Sequence, residues 1–154
     1  MYRRPAETAG MRYVLMSCYD LLRKHRDLLE TNFRESGNGP IFDPTEDFYR
    51  ALSENSLAFA FVAYDGEKAV GAASIFVAPH QHSGELTACN DTIFVLPEYR
   101  GTTVPGRLFV MCEREAKKRG CTSFQWVCDE QAPLAAALQK RPHSGCQVTF
   151  IRSL

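Results

Sequence analysis

Ile93-Phe94-Val95-Leu96-Pro97-Glu98-Tyr99-Arg100-Gly101-Thr102-Thr103-Val104-Pro105-Gly106-Arg107-Leu108 is the stretch on which the fold turns. Its first four residues are apolar, as in a buried strand, and Pro97 ends them. Beyond the loop, Leu108, Met111, Cys112 and Ala116 share a face at helical spacing, while Arg114, Lys117, Lys118 and Arg119 lie off it. Gly120 is placed as that helix's C-terminal cap. A strand therefore runs through a Pro-bounded turn into a loop, and the loop opens a helix. The first turn of a helix leaves amide N–H groups unpaired and carries partial positive charge, so the junction suits a phosphate. Arg100 and Arg107 add charge of the right sign. No Lys-Ser/Thr follows Gly106, which excludes a Walker A loop. A plain strand-to-helix turn and an anion site share this pattern equally.

Upstream, residues 12–35 place Tyr13, Met16, Leu21, Leu22, Leu28, Leu29 and Phe33 on one helical stripe, and residues 36–40 break the chain as a loop. A second helix is expected from Asp43, as cap, through Pro44 and Glu46 to about Asn55, with Phe48, Ala51 and Leu52 inward. Leu57 to Ala63 reads as a centrally buried strand. Asp65-Gly66 turns it into a hairpin with Ala69 to Ala78, and Leu86 to Leu96 follows as a third strand. Downstream, Thr122 to Cys128 alternates as a strand, Ala132 to Lys140 reads as a short helix, and Val148 to Ile151 as a last strand. The order α-α-β-β-β-α-β-α-β predicts an α/β (α+β) protein with a mixed sheet and a right-handed crossover. One domain over residues 1–154 is expected, with 1–11 as a flexible or extended N-terminus.

Composition sets the outer limits. The 154 residues carry 18 Lys+Arg against 18 Asp+Glu, with 45% hydrophobic and 23% charged residues, as in an ordinary globular protein. Zero net charge argues against a general nucleic-acid or membrane-surface binder. The longest uncharged stretch, Ala69 to Gly84, is too short to span a bilayer. Arg3 and Arg4 are followed by Pro5-Ala6-Glu7-Thr8 where a signal peptide needs an apolar run, so a cytoplasmic protein is expected. The six cysteines form no C-x-x-C pair and read as reduced thiols. No metal is expected either, because His80 and His82 have no suitably spaced carboxylate or Cys partner.

Val95-x-Pro97-x-x-Arg100-Gly101 followed by a helix resembles the coenzyme A loop of GCN5-related N-acetyltransferases (GNAT), and the element order is that family's from about Tyr13 onward. Asp65-Gly66 before Val70-Gly71, the Pro79-His80-Gln81-His82 loop and Asn90-Asp91 further resemble small members from tailed phages. The resemblance implies a mostly antiparallel sheet with a splayed strand pair, the strand of Phe94 and Val95 parting from that of Phe124 to Val127. It implies acetyl-CoA as co-substrate, with backbone groups of Phe94 and Val95 on the pantetheine arm. Amides from Arg100, Gly101, Thr102, Thr103, Val104 and Gly106, with Arg107, would then hold the pyrophosphate. The reaction it implies is direct acetyl transfer to a primary amine, on a small molecule or a protein lysine.

Two positions depart from the family's Arg/Gln-x-x-Gly-x-Gly/Ala loop: Thr103 stands at the first Gly, and Pro105, without an N–H, at the other small residue. The Tyr acid usual on the helix 133–138 is missing, and Gln139-Lys140 replaces the Gly-aromatic pair that follows. For the base, Asp91 and Glu85 are the candidate carboxylates, with a loop-bonded strand-end Asp as the other reading of Asp91. Cys128 is the candidate acid, with a buried structural thiol as its alternative, and Trp126 reads as core. By period-two alternation Asp91, Ile93 and Val95 share a face. An alternative function is a GNAT-fold protein, phage-encoded, that binds a host protein with little transfer. The sequence sets no oligomeric state. Between Tyr99 and Arg119 six basic residues face two acidic ones, a balance of +4, whereas Asp27 to Glu54 balances −5. Because the resemblance implies a CoA phosphate site in the basic segment and an acceptor side walled by the two early helices, the balance predicts a basic cofactor end, an acidic acceptor end and a cationic acceptor.

Overall fold

The computed structural model describes residues 10–37, 39–142 and 145–154, so most of the expected extended N-terminus, and Asn38 of the 36–40 loop, lie outside the described residues. Five strands form one sheet in the order β1-β2-β3-β4-β5: β1 (Met11–Met16), β2 (Ala58–Asp65), β3 (Lys68–Pro79), β4 (Leu86–Val95) and β5 (Cys121–Gln125). All neighbours are antiparallel except β4 and β5, which run parallel as the crossover requires. The mixed, mostly antiparallel sheet is the one expected.

Helices cover both faces. Ala58, Ala60 and Val62 of β2, with Ala72 and Phe94, pack under α1 (Cys18–Lys24) and α2 (Arg26–Glu35), with Tyr49 and Leu52 of α3 (Glu46–Glu54) at the margin. The alternate residues Phe59, Phe61 and Ala63 pack on the other face with Val104, Leu108, Cys112 and Ala116 of α4 (Val104–Lys118). Both faces of β2 are thus covered, which is why its sequence is apolar without interruption from Ala58 to Ala63. Gly71 lets α4 seat closely, since a Cβ there would lie 3.0 Å from Val95 Cγ2 and 3.3 Å from Leu108 Cδ1. A 3-10 turn (Pro97–Tyr99) joins β4 to α4, and α5 (Pro133–Gln139) follows β5.

Four elements differ from expectation. Residues 11–16 are not the start of a helix but an edge strand paired with β2 from Met11↔Asp65 to Met16↔Ala60. The helix begins only at Cys18, where Ser17 Oγ accepts from the Asp20 N–H at 2.9 Å, and it is broken at His25, whose Nε2 lies 2.7 Å from Tyr64 OH. The second expected helix starts at Glu46 rather than after Asp43. Phe42 packs on Phe33 (5.5 Å between centroids) and under Arg26, tying the segment before α3 to α2. The strand expected at 122–128 ends at Gln125. No strand forms at 148–151: residues 145–154 carry neither helix nor strand, and Phe150 and Ile151 are 92% and 94% exposed. Alternation makes a strand only where an edge is available to pair, and among the described residues none pairs with 148–151.

Candidate active site

Strands β4 and β5 pair from Leu86↔Cys121 to Cys89↔Gln125 and then part. Strand β4 continues to Val95, while the chain after Gln125 leaves the sheet, so a wedge opens along the last six residues of β4. Leu96 N–H donates to Val70 O at 2.9 Å. In an antiparallel ladder the groups of Phe94 therefore also point to β3, and those of Ile93 and Val95 point into the wedge. The structure brings Val95, but not the backbone of Phe94, to the open edge. Phe94 instead buries its ring under α1 and α2. Across the wedge, Trp126 stacks between Phe109 of α4 and Phe124 (4.3 Å to each), and its Nε1–H donates to Glu113 Oε1 at 3.2 Å.

Asp91 stands at a bulge. Ser74 pairs with Thr92 but Ile75 pairs with Asn90, so Asp91 is the extra residue on β4. The bulge shifts the parity of the strand. Asp91 turns to the α1–α3 face, where its Oδ2 accepts from Ser74 Oγ (2.8 Å) and from Tyr49 OH of α3 (3.1 Å). Ile93 and Val95 instead face α4, so the three residues do not share a face. Oδ1 of Asp91 has no donor among the described residues. Burial, and then the Asp91 carboxylate beside it, push the Tyr49 phenol well above the ordinary tyrosine range. Phe48 and Phe76 pack edge-on, 6.1 Å apart, next to Tyr49.

The loop is tied from below. Tyr99 OH donates to Asp65 Oδ2 at 2.7 Å and Lys68 pairs with Glu98 at 3.2 Å, anchoring the 3-10 turn to the β2–β3 hairpin. Thr102 Oγ1 donates to Tyr99 O (2.6 Å) and accepts from Val104 N–H (3.2 Å) at the start of α4. Pro105 takes the second position of α4, where the helix itself needs no N–H. A Cβ built on Gly101 or on Gly106 would meet nothing within 4 Å, and neither has a positive φ. Among the described residues no contact requires glycine at either position, and both backbones are open to a group arriving from outside. This fits a phosphate cradle. Arg100 fits it less well: its Nε–H donates to Val95 O (2.8 Å) and its guanidinium pairs with Glu35 (2.6 Å) over the Phe94 ring. Arg107 lies exposed on the first turn of α4, its guanidinium 6.0 Å from the centre of the Tyr13 ring.

The other candidates are spread out. Glu85 sits in the exposed turn before β4, held by Ser83, six residues and so roughly 20 Å from Asp91; the structure does not bring it to the wedge. Cys128 lies exposed just past Val127 on the far wall, its thiol pushed up by partial burial and then by Asp129 and Cys146. His80 and His82 neighbour each other in the β3–β4 turn, and no metal-holding group of His, Cys, Asp or Glu occurs among the described residues. The charge segregation is also partial. Arg114 to Arg119 sit toward the far end of α4, leaving Arg100 and Arg107 at the loop. In the acidic segment Glu30, Glu35, Glu46 and Asp47 are already ion-paired. The sequence did not reveal the contacts of Tyr49, Ser74 and Asn90, whose partners lie 17 to 42 residues away.

A mixed five-strand sheet flanked by helices, with a parallel pair that parts ahead of a strand-to-helix loop, is the architecture of GNAT-type acyltransferases. The sequence profile of the Acetyltransferase (GNAT) family matches residues 22–141, and the chain belongs to that family. Among solved structures, the chain superposes on an aminoglycoside acetyltransferase from an uncultured soil metagenomic sample in complex with sisomicin, with a TM-score of 0.76 at 16% identity over 94% of this chain and 96% of that one. It is also similar to the ribosomal-protein-alanine N-acetyltransferase of Brucella melitensis biovar Abortus 2308 (TM-score 0.67, 16% identity, 93% and 99% covered). A third, a predicted acetyltransferase from Clostridium acetobutylicum with acetyl-CoA, gives a TM-score of 0.72 at 13% identity over 92% and 96%. At these identities the likeness is one of fold. No curated protein sequence matches the chain at a significant level. Among the described residues no helix is long and apolar enough to cross a membrane.

Proposed function

We propose that the chain transfers an acetyl group from acetyl-CoA to a primary amine, using the wedge between β4 and residues 126–128 and the loop at residues 100–107. The observation that carries this reading is the continuity of the two: the ladder stops at Cys89↔Gln125, and the open edge of β4 leads directly into the loop where Gly101 and Gly106 stand clear. Acetyl-CoA supplies the activated acyl group. The Val95 N–H on the open edge is the donor available to a polarised carbonyl, and the amides at Gly101 and Gly106 are open to phosphate oxygens. Oδ1 of Asp91 is the proton acceptor for an ammonium losing its proton, held in place because Oδ2 is occupied by Ser74 and Tyr49. Cys128, whose raised pKa keeps it a neutral thiol, is the candidate proton donor.

The acceptor we propose is a cationic amine, such as a lysine side chain or an aminoalkyl group of a small molecule. Support comes from the Asp91 carboxylate, held on α3 by Tyr49, more than from the acidic helices, whose charge is largely paired. The reading does not depend on a phage origin, and no observation favours a partner-binding protein without turnover. A thermal-shift titration with acetyl-CoA, followed by thiol release over a panel of amines and lysine-bearing peptides, tests it. Stabilisation and release with cationic amines are expected. No stabilisation at millimolar acetyl-CoA would overturn the reading.

A further inference from the structure

We infer that Asn90 is a positioning residue that sets the apex of the wedge, by substituting its side-chain amide for the ladder at the point where the ladder ends; this rests on the acetyltransferase reading of the wedge. Asn90 Nδ2–H donates to Val127 O at 2.9 Å, and Val127 N–H donates to Asn90 Oδ1 at 2.6 Å. A primary amide carries the same donor and acceptor as a peptide group, so this pair of bonds is the two-bond exchange of a strand ladder made from one side chain. The last backbone pair is Cys89↔Gln125, and the next tether is Asn90 to Val127. One residue forward on β4 is thus matched by two on the far wall, and the far wall stands off by the length of a side chain. The two walls are allowed to part but not to drift.

Among the described residues Val127 makes no other hydrogen bond. Its side chain is 60% exposed, so apolar packing does not fix it. The residue before it is fixed independently, by the stacking of Trp126 between Phe109 and Phe124 and its bond to Glu113 on the α4 side. Asn90 also directly precedes the bulged Asp91, so one dipeptide sets both the width of the wedge and the carboxylate beside it. Few side chains can do this: Asp lacks the donor, Leu lacks both groups, and Gln is longer by a methylene.

The test combines Asn90→Ala and Asn90→Asp with two readouts. In amide hydrogen exchange, Asn90→Ala is expected to lower the protection of the Val127 N–H by about tenfold or more while that of Phe124 is kept. In calorimetry its affinity for CoA falls by about tenfold, with the melting temperature nearly unchanged. Asn90→Asp adds a signature that general destabilisation does not produce. The ionised carboxylate repels Val127 O, whereas the protonated acid again offers one donor and one acceptor. The CoA affinity of Asn90→Asp relative to wild type is therefore expected to recover as pH falls from about 7 through about 4, where an aspartate with the ordinary pKa of about 3.9 takes up its proton. Cys89, Cys128 and Asp129 near the clamp are common to both proteins, but Asp91 couples to a carboxylate at the adjacent position, so the same ratio is taken for Asn90→Asp/Asp91→Asn against Asp91→Asn. Unchanged Val127 exchange in Asn90→Ala would overturn the clamp. Lost protection with unchanged CoA affinity, or a ratio flat with pH, would overturn its role in the wedge. A wild-type chain that binds no CoA overturns the acetyltransferase reading and the cofactor role together, while the exchange measurement still decides whether the clamp exists.

Discussion

Pro105→Ala should make this protein less stable and a better CoA binder at the same time. In the first turn of α4 the Val104 N–H is shared with Thr102 Oγ1 (3.2 Å), and the Arg107 N–H already donates to Thr103 O (3.0 Å). Position 105 has no N–H at all, and Gly106 has no backbone acceptor among these bonds. Alanine adds one donor to the cradle. A hydrogen bond to a charged oxygen contributes about 1.5–3 kcal/mol, which is about one to two decades in Kd. Stability moves the other way, because the unfolded chain regains the freedom that proline removes, about 0.4–1 kcal/mol. For a chain of this size the melting temperature then drops by about 1–4 °C. Calorimetric titration with CoA measures the first effect and thermal denaturation without ligand the second. Pantetheine, which lacks the pyrophosphate, serves as control and should bind both proteins alike. A CoA affinity within twofold of wild type, or an equal gain for pantetheine, would refute the placement of the pyrophosphate on this turn.

Three further outcomes are expected. Asp91→Asn keeps one carbonyl oxygen for Ser74 or Tyr49 but cannot take a proton, so acetyl transfer should fall by about two orders of magnitude or more while CoA binding holds; retained turnover would remove Asp91 as base. The Tyr49 phenol should resist ionisation in an alkaline absorbance titration, because its folded pKa is raised by burial and by Asp91. The protonated form is the one the fold favours, so this contribution to stability is complete below the unfolded value of about 10 and is lost as pH rises above it. In Asp91→Asn the ionisation should move back toward the ordinary range. Gly71→Ala should destabilise by about 1–3 kcal/mol through the 3.0 Å approach to Val95 Cγ2, whereas Gly106→Ala, which meets nothing within 4 Å, should spare the melting temperature and weaken CoA; equal melting losses would contradict the open cradle.

Local signals were read well where the physics is local. The strand-turn-helix from Ile93 to Leu108, the Asp65-Gly66 hairpin and the cap at Gly120 follow from proline, glycine and helical periodicity within a few residues, and all three are present. The β1 strand was missed: Tyr13 and Met16 fit a helical stripe as well as an alternating strand, and only pairing with β2, which sends Met11 and Tyr13 toward α4 and Met16 toward α1, decides between them. The Asp43 start was a sound local signal overruled from outside, by the contacts of Phe42 with Phe33 and Arg26 on α2.

The sequence by itself determined the family, the strand-turn-helix of the loop, and the presence of a carboxylate on the strand before it. Those properties depend on neighbours a few positions apart. The tertiary structure alone decided which way that carboxylate points, because parity along β4 is set by a bulge against Ser74 and Ile75 of another strand. It also decided that Tyr49 of α3 reaches Asp91, that Glu35 takes up Arg100, and that Asn90 holds Val127, contacts 37 to 65 residues apart in the chain. A side chain's type is written in the sequence, but its partner is chosen by packing between segments that carry no mark of one another.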